Sequence, residues 1–79
     1  MSKEWSAAVA AAESAAEEKQ AAEEIAHERF RAVRAEIETS GSNVQVTDSP
    51  EFHRWMAARH ASDAAWGAWA MAMDAKPAS

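Results

Sequence analysis

An all-α antiparallel two-helix hairpin is the fold class this chain of 79 residues predicts, and three observations predict it. Helix-forming residues run from the N-terminus to Thr39 without a Gly or a Pro. A dense turn signal follows, with Ser40-Gly41-Ser42-Asn43 at its start and Asp48-Ser49-Pro50-Glu51 at its end. The bulk of the two arms is complementary. The first is mostly Ala and Glu, and the second carries Phe52, Trp55, Met56, Trp66, Trp69, Met71 and Met73. Large Trp and Met side chains fill the space that small Ala side chains leave, so the arms suit one another. The expected organisation is one domain over 1–79, with helix 3–39, loop 40–49 and helix 50–75.

In the first helix Ser2 is the expected N-cap. Apolar groups recur at Trp5, Ala8 or Val9, Ala12, Ala15 or Ala16, Ala22, Ala26, Phe30, Val33 and Ile37, at helical spacings that make one stripe. Lys19 is the one charge at its centre, and Glu24, Glu28 and Arg31 stand at spacings that pair on a helix surface. Gly41 suits the left-handed residue that ends a helix. Val44-Gln45-Val46-Thr47 alternates, which permits an extended stretch. At the second helix Ser49 can cap, Pro50 fits the first helical position, and Glu51 suits the positive end of the helix dipole. Gly67 lies inside this helix, and Pro77 lies beyond its end.

A turn centred near residue 44 or 45 sets facing positions that sum to about 89. Ile37 then faces Phe52, Val33 faces Met56, Phe30 faces Arg59, Ala26 faces Asp63, Ala22 faces Trp66, and Ala16 faces Met73. This register leaves Trp5, Val9 and Ala12 beyond the end of the second helix. It also turns Ala64, Ala65, Ala68 and Ala72 away from the first. Arg59 and Asp63, one turn apart, read as an ion pair on the apolar face. Two uncovered apolar regions in a chain this small predict self-association, most simply two hairpins in a four-helix bundle. Val9, Ala12, Trp66 and Met73 are the self-association candidates.

Composition narrows the function classes. Cys is absent, so there is no disulfide framework, thiol nucleophile or Cys-based zinc site. Leu is absent as well, which leaves the core to Ala, Trp, Met, Ile, Val and Phe. Net charge is −5. Residues 1–28 set Lys3 and Lys19 against seven glutamates, and the loop end is slightly basic. The acidic balance speaks against general nucleic-acid affinity. No stretch reads as a signal peptide or a membrane span, so a cytoplasmic protein is expected. No Ser-His-Asp set, phosphate-cradling Gly loop or pocket-facing carboxylate pair is present, so no enzyme and no cofactor are expected.

The leading expectation is a non-enzymatic protein–protein interaction module that binds a larger partner as inhibitor or adaptor. Small phage inhibitors match it in size and character. Trp5, Trp69, Met71 and the acidic residues Glu13, Glu17 and Glu24 are the partner-binding candidates, since Trp anchors interfaces. Two alternatives belong to other classes. Glu24-Ile25-Ala26-His27 resembles the Glu-x-x-His of di-iron bundles, and so the two-helix, half-length ferritins that are completed by dimerisation. That resemblance covers four residues and implies a metal set of Glu24, His27, His60 and Asp63. The second helix lacks a Glu-x-x-His, and solvated flank residues are the competing reading. Arg29, Arg31, Arg34 and Arg54 define the third reading, a nucleic-acid accessory protein.

Overall fold

The computed structural model describes residues 3–77 and shows two long helices packed side by side. Helix α1 spans Lys3–Ser40 and helix α2 spans Pro50–Asp74, joined through a 3-10 turn at Val46–Asp48. No strand is present among the described residues. The expected cap at Ser2 lies outside them. The molecule is a rod of 62 × 14 × 12 Å with a radius of gyration of 17.9 Å. A compact chain of this length would have about 12 Å. Its length is that of α1, because a 38-residue helix rises about 57 Å.

The helix ends follow from local chemistry. Gly41 takes φ 68°, the left-handed region that an L side chain resists. Just before it, the Thr39 and Ser40 hydroxyls donate to the carbonyls of Ala35 and Ile37, at 2.7 and 3.2 Å. Ser49 caps α2 as expected. Its Oγ accepts from the Phe52 N–H at 3.1 Å and donates to the Val46 carbonyl at 2.9 Å, tying the 3-10 turn to the new helix. Pro50 fills the first turn, and Glu51 is its acidic residue. The alternating stretch at 44–47 is not a strand. It folds into the 3-10 turn, where Asp48 N–H donates to the Gln45 carbonyl at 3.0 Å.

That turn changes the register. The observed neighbours are His27 with Trp55, Phe30 with Phe52 and Trp55, and Gln20 with Trp66, whose positions sum to between 82 and 86, while at the far end the Trp5 indole reaches back to the Ala72 carbonyl. The expected value near 89 is corrected by about one helical turn. Residues 41–49 do not reverse the chain symmetrically; part of the loop is used in the 3-10 turn, and α2 starts beside a point well inside α1. The correction brings Trp5, Val9 and Ala12 against α2, where they are partly buried.

The seam runs in steps of three and four residues, broken once on α1 between Ala16 and Glu23, where Lys19 at the intervening position is exposed. On α1 it comprises Trp5, Val9, Ala12, Ala16, Glu23, Ala26, Phe30, Val33 and Ile37, and on α2 Trp55, Ala58, Ser62, Ala65, Trp69 and Ala72. Every one of these is partly or fully buried. This is the pattern of an antiparallel two-stranded coiled coil. Two stripe assignments are corrected by it. Glu23 rather than Ala22 enters the seam, and Ala65 and Ala72 face α1 rather than pointing away. Around the loop-proximal half, Phe30 packs on Phe52 and Trp55 at centroid distances of 5.6 and 5.1 Å. Ala16 and Phe30 are the buried hydrophobic residues, at 0% and 6% exposure, and Ser49 and Ser62 are buried with them.

Candidate functional site

An antiparallel pair has two long edges flanking its seam, and the sequence makes them chemically different. Along one edge α1 presents Glu13, Glu17, Gln20, Glu24 and His27, spaced by three and four residues. Beside them α2 brings Trp66, whose indole N–H donates to Gln20 Oε1 at 3.0 Å. Glu17, Gln20, Ala21, Glu24 and Trp66 line a shallow groove there. Met73 lies seven residues after Trp66 and so on the same face, 42% exposed. None of Glu13, Glu17 and Glu24 takes part in an ion pair of the described residues, which are Arg31–Glu28, Arg34–Glu38 and Arg54–Glu51.

The other edge is nearly free of charge. α1 contributes Ala8, Ala11, Ala15, Ala22 and Ile25, and α2 contributes Ala57, Ala61, Ala64, Ala68 and Met71, all exposed. Ile25 is 56% and Met71 is 76% exposed. Toward the loop this edge opens into a groove lined by Ala26, Arg29, Ala32, Val33, Glu51 and Arg54. Met71 sits roughly 140° around α2 from Trp66, so the two sides look in nearly opposite directions.

The partner-binding candidates are therefore split. Glu13, Glu17 and Glu24 share the acidic edge, Met71 is on the alanine edge, and both tryptophans are partly spent on the hairpin. Trp5 Nε1 donates to the Ala72 carbonyl at 2.8 Å, and the Lys76 ammonium lies 5.7 Å from its ring. Carbonyls in a last helical turn lack helical partners, so Trp5 closes the end of α2 from the start of α1. Trp69 meets Trp66 edge-on at 5.5 Å, and its buried Nε1 has no partner. The self-association candidates are split as well. Val9 and Ala12 lie in the seam, whereas Trp66 and Met73 lie on the acidic edge.

Other expectations meet geometry that the register did not foresee. Arg59 and Asp63 are both exposed and form no ion pair with each other within the described residues. The seam runs through Ala58 and Ser62, one position away from each of them, which turns both outward. Of the Glu24, His27, His60 and Asp63 set, His27 packs against Trp55 with ring centroids 4.4 Å apart and planes tilted by 35°, and the other three are exposed. No group of three His, Asp or Glu side chains placed to hold a metal occurs among the described residues. Arg31, Arg34 and Arg54 are paired with glutamates on their own helices, and Arg29 has no ion pair among the described residues. No helix of the described residues is long and apolar enough to cross a membrane. The chain matches no protein-family model, no curated protein and no solved structure.

Sequence reading missed the two-edge organisation. The signal was present in the positions beside the seam. Seven-residue spacing from Ala8 through Ala15 to Ala22 marks one edge, and from Glu13 through Gln20 to His27 the other. It becomes visible only when the stripe is read as a strict heptad.

Proposed function

We propose that the hairpin is a non-enzymatic protein–protein interaction module that self-associates into a four-helix bundle and engages a larger protein through its acidic edge. The observation that carries this reading is the row Glu13, Glu17 and Glu24, exposed and without ion-pair partners, alongside the partly exposed Trp66 and Met73. Unpaired carboxylates beside an indole and a thioether make a surface with directional charge and a polarisable apolar anchor. Such a surface fits a segment carrying Arg or Lys next to apolar side chains, because the guanidinium can stack on the indole and pair with a carboxylate. Acting as inhibitor or adaptor then means occupying that segment.

Self-association has a separate support. The chain exposes 5849 Å², while a compact monomer of its 8.6 kDa would expose about 4,700 Å². Ile25 and Met71 are among the large apolar side chains left exposed, at 56% and 76%.

The test is affinity capture from the native host with the wild-type chain and with Glu17→Lys/Glu24→Lys. The reading predicts a partner that is retained by the wild type, eluted by moderate salt and lost from the variant, with helicity unchanged. Equal retention by both chains contradicts the assignment of the acidic edge.

A further inference from the structure

The alanine edge carries a knob and a hole. Met71 projects from it at 76% exposure. The groove lined by Ala26, Arg29, Ala32, Val33, Glu51 and Arg54 opens on the same edge, nearer the loop. In the observed register Met71 lies beside α1 residues 11–15, and the groove is centred near α1 residue 30. The two are therefore about 25 Å apart along the rod, at 1.5 Å per residue. One chain cannot bring them together, but a second copy can.

We infer that two hairpins pair through this edge about a two-fold axis perpendicular to the rod near Ala22, so that each Met71 fills the other copy's groove. A two-fold interface uses the same patch on both copies, and a patch carrying both a knob and its hole is self-complementary under that operation. Three further features agree. The axis falls among Ala22, Ala61 and Ala64, all exposed, and small residues there let the helices approach closely. Within the patch Glu51 and Arg54 pair with each other at the groove's rim, whereas Glu18 and Arg29 have no ion pair among the described residues. The two-fold brings each Glu18 to within about one turn of the partner copy's Arg29, a distance an Arg side chain spans. The overlap is roughly 40 Å long on a rod 14 Å wide, so each copy covers on the order of 600 Å², the lower end of the range for a specific dimer. The acidic edges are left facing outward on opposite sides, which makes the dimer bivalent.

This inference rests on the self-association proposed above and specifies its surface. Sedimentation equilibrium on the intact chain and three variants tests it, with circular dichroism to check helicity. Met71→Glu is expected to weaken dimerisation at least tenfold. Met73→Glu, on the opposite edge, is expected to leave it unchanged. Glu18→Arg is expected to weaken it several-fold, with recovery in Glu18→Arg/Arg29→Glu. Orientation is read by disulfide trapping, since the chain has no cysteine of its own. Met71→Cys/Ala32→Cys is expected to form a covalent dimer on oxidation, and Met71→Cys alone is not, because the two copies' sites lie about 25 Å apart. A dimer indifferent to Met71→Glu, or efficient self-crosslinking of Met71→Cys, overturns this arrangement while leaving self-association standing. A monomer at every concentration overturns both.

Discussion

Trp5 and Trp69 present the same indole N–H to two different situations. Trp5 donates to the Ala72 carbonyl, an acceptor that the end of α2 would otherwise leave without a helical partner. Trp69 buries its N–H with no acceptor, and Trp55 does the same. A buried donor without a partner is a penalty of about 1–3 kcal/mol, while a typical hydrogen bond contributes about 1 kcal/mol net. Trp69→Phe is therefore expected to hold or raise the thermal midpoint. Trp5→Phe is expected to lower stability by about 1 kcal/mol, or roughly 4–8 °C in a domain this small. Melts followed by circular dichroism at one protein concentration check the pair. The two glycines make a similar contrast. Gly67 has open space where a Cβ would go, so Gly67→Ala should stabilise α2 by about 0.5–1 kcal/mol. Gly41 has equal space but φ 68°, so Gly41→Ala should destabilise by about 1 kcal/mol. Chemical denaturation of both variants reads the opposite signs directly. The cap at Ser49 was legible in the sequence because Ser-Pro-Glu carries its own chemistry. The fates of the tryptophan N–H groups were not, because each depends on which carbonyl the other helix brings near.

Between elements, the controlling quantity is register. Helix existence, the break at Ser40–Asn43 and the restart at Ser49–Pro50 are local properties, and the sequence predicts their positions to within a residue. Facing pairs depend on how much of the loop is consumed in the turn, and the 3-10 segment at Val46–Asp48 is only three residues long. That small element moves the pairing by about one turn. It separates a picture in which Trp5, Val9 and Ala12 are free from one in which they belong to the seam. The same shift turns Arg59 and Asp63 out to solvent. Ser49 anchors the segment through two hydrogen bonds, at 2.9 and 3.1 Å. Ser49→Ala removes both, and a lost cap contributes about 1 kcal/mol of destabilisation. Loss of the tie also loosens the register, so the fluorescence of Trp55, close to the loop, should change more than that of the tryptophans at the far end. Single-tryptophan variants check this. An equal change at Trp55 and Trp5 would mean that the cap acts on helix stability alone.

As a whole molecule, the chain divides its surface between two edges. Hydropathy along α1 and α2 shows that both carry more apolar residues than one seam can bury, and this much is legible without coordinates. What is covered and what is left over follows only from rotating each helix by its heptad phase. That rotation sorts Met71 and Ile25 to one edge and Trp66, Met73 and the glutamates to the other. A rod with a radius of gyration of 17.9 Å and little fully buried core is marginal alone, because two helices bury little apolar area per residue ordered. Pairing through the alanine edge adds core and leaves both acidic edges exposed, so assembly and partner binding do not compete. Dilution should then lower the thermal midpoint, since a stability that depends on association depends on concentration. The most direct measurement is the mass of the wild-type chain in solution across a concentration series, by sedimentation equilibrium. A reversible dimer with twice the 8.6 kDa chain mass is expected. A folded helical monomer that keeps the single-chain mass throughout would contradict it.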